Sequence, residues 1–393
     1  MRKTIFSFIL SFTTVLADEI DFTYDGWDRE CYLYKPSCIP DGAQGDDFEP
    51  VPLVFMFHGL GGEGEDNYDF TSIAEDSCFM VAFPSGMYNT WNAGPEAPYG
   101  HEIDDNSYVE ALIDTIYNYY PLDTNRIYGT GHSYGAGFTN HLACTSTEFT
   151  ALGAAAGWLW TAYEHWGEGL DPDIAEEYNY LCDPMTIGYT IPMIHFHGRS
   201  DNGTFIEWGE MSAVQGALRN GCDDALSVDL PGSNWPEDNN STWPSDWTAL
   251  MAEYFATADT LEYNDSIYRF QWSNGCHVEP NIVAIIMPNH QHAWPLLSNS
   301  PIDGLLEHWN FFRQFSKDEM GPALDSLEIN NSGSAVILDD DYYVNGETTP
   351  ISILAIDNYS VASMTISFSG FINVEGFDLT ITFDTGSKLL NLD

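Results

Sequence analysis

The chain has 393 residues, 44% of them apolar and 15% aromatic, which is a globular composition long enough for one large domain and a smaller module. It carries 60 acidic and 11 basic residues, a formal charge of −49. Such a surface repels nucleic acid and anionic lipid, so neither is expected as a partner. Its self-repulsion is screened by salt, which fits a saline habitat as well as an ordinary acidic exoprotein.

Residues 1–17 read as an export signal, with Arg2 and Lys3 before an apolar run and small residues at Val15 and Ala17. That run is too short to span a bilayer, and no later run approaches the ~20 residues a span needs, so no membrane anchor is expected. From 18 to 317 strand patterns alternate with helical ones. Residues 51–57, 80–83 and 126–130 read as buried strands. Residues 108–119, with Val109, Leu112, Ile113 and Ile116 on one face, read as a helix. A helix over 137–144, strands over 193–196 and 282–287, and a last helix over 305–315 complete an α/β pattern. It predicts a mostly parallel sheet.

Residues 223–262 are rich in Asp, Asn, Pro and Trp and read as an insertion, either a lid or a surface excursion. Residues 316–322 look like a linker. From 325 to 393 the patterning has period two, as in Met364, Ile366 and Phe368 and again in Leu379, Ile381 and Phe383. This predicts a small all-β, sandwich-like module. Its Asp339-Asp340-Asp341 run reads as an acidic loop rather than a calcium site.

The seven cysteines are Cys31, Cys38, Cys78, Cys144, Cys182, Cys222 and Cys276, an odd number that leaves at least one without a partner in the chain. Export would let disulfides persist. Cys31 and Cys38 are close enough to staple a hairpin. Cys222 and Cys276 share an Asn-Gly-Cys context and are the favoured pair. Asn-x-Ser/Thr triplets begin at Asn202, Asn239, Asn240, Asn264, Asn330 and Asn358, as chance predicts in so polar a chain.

Gly131-His132-Ser133-Tyr134-Gly135 lies between an expected strand and an expected helix. That context lets a serine project from a sharp turn as a nucleophile. Phe57-His58-Gly59-Leu60-Gly61-Gly62 follows the 51–57 strand, and its backbone N–H groups could meet a carbonyl oxygen. Leu60, or else Gly61, is the expected first oxyanion donor, and Tyr134 the second. No Lys-Ser/Thr follows the glycines, which excludes a P-loop. Asp201, just past a strand end, is the expected acid, and Asn289-His290-Gln291-His292 supplies the base. The order Ser, Asp, His is that of one hydrolase architecture and not of chymotrypsin or subtilisin. A zinc site from His195, His197, His290 and His292 is a competing reading, which leaves the serine motif unexplained. Neither a metal nor a cofactor is expected for the serine chemistry.

Taken together, residues 52–59, Asp104-Asp105, residues 120–135, Phe196-His197-Gly198-Arg199-Ser200-Asp201 and His292-Ala293-Trp294-Pro295 resemble the extracellular polyhydroxybutyrate depolymerase and feruloyl esterase group of the α/β-hydrolases. The resemblance covers about 28–316. It implies an α/β-hydrolase domain, Ser133 as nucleophile, Asp201 as acid and His292, before Ala-Trp-Pro, as base. It also implies substrate contacts at His58 and Trp294. The expected partner is an ester-bearing polymer, polyester or plant polysaccharide, with the 325–393 module touching its surface. The bulky Tyr134, and Asn289, His290 and Gln291 where the group often has glycines, depart from the pattern at the rim. A binding protein that retains the fold and a peptidase on the same fold are the alternatives.

Overall fold

A computed structural model of the chain describes residues 17–44, 48–64, 70–94, 103–159, 190–220, 222, 255–256, 258–264, 267–273, 276 and 282–317, together with five short strands between 323 and 392. A ten-stranded sheet runs through the main body. Its strands are β1 (Ala17–Tyr24), β2 (Trp27–Tyr34), β3 (Val51–Phe57), β4 (Met80–Pro84), β5 (Leu122–His132), β6 (Ala151–Ala155), β7 (Met193–Gly198), β8 (Asp259–Asn264), β9 (Ile267–Trp272) and β10 (Ile282–Met287). Their spatial order is β1-β2-β4-β3-β5-β6-β7-β10-β9-β8. The run from β4 to β10 is parallel. Antiparallel hairpins extend it at both edges, β1–β2 beyond β4 and β9–β8 beyond β10.

The parallel strands β3, β4, β6 and β10 are buried along their whole length because helices cover both faces. In β3, Leu53, Phe55 and Phe57 belong to one core, while Val54 and Met56 belong to the other. The first core is closed by α2 (Asp105–Tyr119), α3 (Tyr134–Thr145) and α4 (Ile206–Arg219). The second is closed by α1 (Thr71–Ser77) and α5 (Gly304–Phe312). The Asp104 carboxylate accepts from Ser107 N at 2.9 Å and caps α2, while Asp105 forms a buried ion pair with Arg29 of β2. The Asp104-Asp105 pair therefore starts a helix and ties it to the edge hairpin.

The expected strands and helices of the main body are present with ends shifted by a few residues; the last helix stops at Phe312 rather than Phe315. Strands β1, β2, β6, β8 and β9 were not expected, nor were helices α1 and α4. β6 reads Ala-Leu-Gly-Ala-Ala, and small residues lack the branched side chains that mark strands. The β1–β2 hairpin, pairing Ala17 with Tyr34 through Tyr24 with Trp27, was not expected. The end of the expected insertion is also corrected: 259–262 lie in β8, whose pairing with β9 makes them part of the sheet. Residues 223–254 lie outside the described residues, as do residues 1–16 of the expected signal and 357–387 of the expected β module. Within that module, β11 (Ala323–Ile329), β14 (Ile351–Ile356) and β15 (Lys388–Leu392) form an antiparallel sheet, and β12 (Val336–Leu338) pairs with β13 (Asp341–Tyr343).

Cys222 and Cys276 are bonded, as favoured from sequence. The Cys31–Cys38 staple is not formed. Cys38 bonds Cys78 instead, and Cys31 is a free thiol buried in β2. Cys31 is a fully buried member of the core beneath the sheet.

Candidate active site

Ser133 stands between β5 and α3 with φ 56° and ψ −119°, a backbone conformation that a non-glycine residue adopts only under constraint. The flanking glycines make the turn possible. A Cβ on Gly131 would meet the Gly135 carbonyl carbon at 2.3 Å, and one on Gly135 would meet Phe57 O at 2.2 Å. Ser133 N donates to Ala155 O at 3.0 Å, which ties the turn to the end of β6.

Three loops at the same end of the sheet meet there. His292, after β10, places Nε2 2.8 Å from Ser133 Oγ and Nδ1 2.9 Å from Asp201 Oδ2. Asp201, after β7, is buried. Its Oδ1 accepts from Gly203 N at 2.8 Å and Thr204 N at 2.9 Å. Burial raises the Asp201 carboxyl pKa, but hydrogen bonds from His292, Thr204 N and Gly203 N outweigh it and bring the value to about 2. Asp201 is therefore an anion at neutral pH. Because a carboxylate can only accept, the imidazole carries its proton on Nδ1, donates it to Asp201 Oδ2 and presents an unprotonated Nε2 to the serine.

His290 stands elsewhere. It is buried, with Nε2 against Ala293 O at 2.9 Å. His197 places Nε2 3.0 Å from Thr204 O. His195 is buried in β7, where burial depresses its pKa to about 3. Three of the four histidines of the competing zinc reading, His197, His290 and His292, thus have separate partners, and among the described residues no group of three or more His, Cys, Asp or Glu side chains could hold a metal ion.

The glycine-rich loop after β3 packs on the serine turn: a Cβ on Gly59 would sit 3.5 Å from Ser133 Cβ. Gly61 N donates to Asn89 O at 2.7 Å, and Gly62 N to Gly59 O at 3.1 Å. Gly61 N–H is therefore already engaged, whereas the Leu60 N–H has no acceptor among the described residues. Tyr134 is the first residue of α3, where a backbone N–H has no intrahelical acceptor. Its ring is buried edge-on to Trp158 at 5.5 Å, so its bulk is turned away from solvent.

His58 does not take the place expected of a substrate contact. It is 1% exposed. Its Nε2 accepts from Gly86 N at 2.9 Å, its Nδ1 lies 2.8 Å from Gly59 O, and its carbonyl accepts from Trp91 Nε1 at 2.9 Å. A ring with both nitrogens engaged inside the fold holds two loops together. Trp294 is partly buried beside the site, 5.7 Å from the His132 ring.

Sequence reasoning missed three neighbours. Thr204 puts its hydroxyl 2.8 Å from Ala156 O and 3.1 Å from Asp201 Oδ2. Gly203 lies so close to His292 that a Cβ would be 2.7 Å from the ring. The Asp-Asn-Gly-Thr string is a turn signature that could have marked both. His132, the second residue of the serine motif, lies 4.8 Å from His292, ring to ring. Burial, with His292 nearby, lowers its pKa to about 3, so it is neutral there. Nothing in its sequence context signalled that contact.

A parallel sheet with helices on both faces, a serine turn after a central strand, and an acid and a histidine after later strands define an α/β-hydrolase. Within that group the likeness is to esterases. Feruloyl esterase B of Piromyces equi is 26% identical over 220 residues, 50% of this chain and 37% of that protein. A probable feruloyl esterase C of Aspergillus terreus is 27% identical over 206 residues, 50% of this chain and 64% of that protein. Acetylxylan esterase A of Emericella nidulans is 28% identical over 191 residues, 43% of this chain and 60% of that protein. The chain thus spans less than two thirds of the length of each relative. No family model matches it. Among solved structures, an acetyl xylan esterase from Aspergillus awamori aligns with a TM-score of 0.49 at 17% identity, covering 76% of this chain and 99% of that one.

Proposed function

We propose that this chain is an exported carboxylic ester hydrolase that removes feruloyl or acetyl groups from a neutral polysaccharide through Ser133, His292 and Asp201. The observation that carries the reading is the continuous chain of short hydrogen bonds from Ser133 Oγ through His292 to the Asp201 carboxylate. In the mechanism, His292 Nε2 takes the hydroxyl proton as Ser133 Oγ attacks the ester carbonyl carbon. The Leu60 and Tyr134 N–H groups receive the oxyanion. Collapse expels the alcohol, which takes the proton back from His292. Water then repeats the sequence on the acyl-enzyme and regenerates Ser133. Asp201 stabilises the imidazolium and keeps its charge throughout.

The names of the relatives support the feruloyl and acetyl choice. The Arg2-Lys3 start, the apolar run after it and the Cys38–Cys78 and Cys222–Cys276 disulfides support export. The strong negative charge suits a neutral polymer better than a polyanion. As part of the same proposal, the segment from about 325 onward contacts the polymer surface.

The test is Ser133→Ala assayed on methyl ferulate, acetylated xylan and polyhydroxybutyrate film. We expect the wild type to act on one of the first two substrates. We expect the variant to lose at least about a thousandfold in rate while keeping its circular dichroism. Undiminished hydrolysis by the variant would sink the serine mechanism, and cleavage of the polyester alone would overturn the substrate assignment.

A further inference from the structure

The loop that carries Leu60 has one internal backbone hydrogen bond, Gly62 N to Gly59 O, and is otherwise held by a second loop. Residues 58–64 are zipped to residues 85–91, the segment after β4. Gly86 N and Trp91 Nε1 bond to His58, and Gly64 N donates to Ser85 Oγ at 3.0 Å. Between these ends, one residue grips the turn. The Asn89 carbonyl accepts from Gly61 N at 2.7 Å. Its side-chain Nδ2 donates to Gly62 O at 3.2 Å and to Glu63 Oε1 at 3.0 Å. Asn89 therefore engages three consecutive residues directly after Leu60.

The conformation that allows this grip is unusual. Asn89 has φ 59° and follows Tyr88 with φ 54°, two successive non-glycine residues in the left-handed region. Asn tolerates that region better than other side chains. Structure held in a sparsely populated backbone region points to a constraint imposed by its surroundings. Here the constraint acts on the neighbour of the serine turn, because a Cβ built on Gly59 would come within 3.5 Å of Ser133 Cβ.

We infer that Asn89 is the positioning residue of the oxyanion site, occupying Gly61 N–H and locking the 61–63 turn so that Leu60 N–H, and not Gly61 N–H, is the donor this loop sets beside Tyr134 N–H. The inference rests on the esterase reading above and adds a residue to it. Asn89 touches neither substrate nor Ser133. It acts through the loop, so its loss weakens interactions made in the transition state more than those made by bound substrate.

The test compares Asn89→Ala and Asn89→Gly in the full chain. Glycine keeps the left-handed backbone and the carbonyl but removes the amide, and alanine also opposes the backbone conformation. We expect kcat per active site to fall about tenfold in the glycine variant and further in the alanine variant, short of the ~10²–10³ seen when an oxyanion donor itself is removed. KM should stay within about threefold. Affinity for a phenylboronic acid, which forms a tetrahedral adduct on a serine, should weaken in parallel with kcat. Thermal melting reports folding, and if the alanine variant does not fold the glycine variant carries the test. Unchanged kcat and boronate affinity in a folded glycine variant would overturn the inference, as would a rise in KM with kcat intact. Ser133→Ala, run alongside, separates the two failures: if it retains hydrolysis the esterase reading falls and takes this one with it, and if it loses hydrolysis only the role of Asn89 is at stake.

Discussion

Thr204 holds Asp201 from two sides, with its N–H 2.9 Å from Oδ1 and its hydroxyl 3.1 Å from Oδ2. The same hydroxyl lies 2.8 Å from Ala156 O, so one side chain joins the acid loop to the end of β6. Thr204→Val keeps the shape and removes the hydroxyl. It leaves buried oxygens short of a partner, and we expect a loss of about 1–3 kcal/mol in unfolding free energy. With Asp201 less firmly held, kcat should also fall several-fold. Denaturant unfolding together with steady-state kinetics checks both, and a variant as stable and active as the wild type would contradict the assignment.

Acid should unfold this protein well above the usual carboxylate range. Burial lowers His132 and His195 to about 3 and His141 and His308 to about 4, against an ordinary value of 6.5. The folded state holds these rings neutral while the unfolded chain protonates them. Their stabilising contribution is therefore complete above pH 6.5 and is lost as pH falls toward 4 and 3. Each costs about 1.4 kcal/mol per pH unit in that window, so the four together could consume a typical domain's stability within about two units. Asp201 adds a second loss between pH 4 and 2. Near-ultraviolet circular dichroism across pH at fixed ionic strength is the measurement, and constant stability from pH 6.5 down to 4 is the result that would refute it.

Gly135 admits no side chain. A Cβ there would meet the Phe57 and His58 carbonyl oxygens at 2.2 and 2.6 Å, and both are backbone atoms that cannot swing aside. Gly135→Ala should therefore push the serine turn away from the Leu60 loop. We expect a stability loss on the order of 1–3 kcal/mol and a larger loss of activity than stability alone predicts. Equal kcat in the variant would show that the two loops move independently of each other.

The Cys38–Cys78 bond closes a segment of 40 residues that includes β3 and the Leu60 loop. The chain-entropy relation gives about 4 kcal/mol for such a closure. Cys38→Ser should lower thermal stability accordingly. Cys31→Ala should cost less, because Cys31 is unbonded and packs as a small apolar side chain. A reversed ranking in calorimetry would mean that the thiol of Cys31 has a role beyond filling the core.

With a formal charge of −49, unfolding free energy should rise between low salt and ~0.5 M salt, where screening becomes short-ranged. Urea midpoints in the two conditions measure this, and a flat response would remove the case for a saline habitat.

Local pattern carried much of this protein. A short apolar run was enough to locate β3, β4 and β10, since a strand buried on both faces must be apolar throughout. The glycines of Gly131-His132-Ser133-Tyr134-Gly135 announced a sharp turn because a side chain at either of them would collide with backbone. β6 stayed hidden because Ala and Gly leave no periodic signal, although their small size lets α3 and His308 approach. Three matters were decided only by tertiary structure. His292 rather than His290 reaches Ser133, because the two rings leave the same loop in different directions. Among the described residues Leu60 rather than Gly61 has an N–H without an acceptor, because a loop 28 residues further along supplies the Asn89 carbonyl to Gly61. His58 is spent inside the fold for the same kind of reason. Residue type and spacing specify what a short segment can form. Which hydrogen-bonding groups stay free for chemistry depends on partners distant in sequence, and those partners exist only once the sheet has assembled.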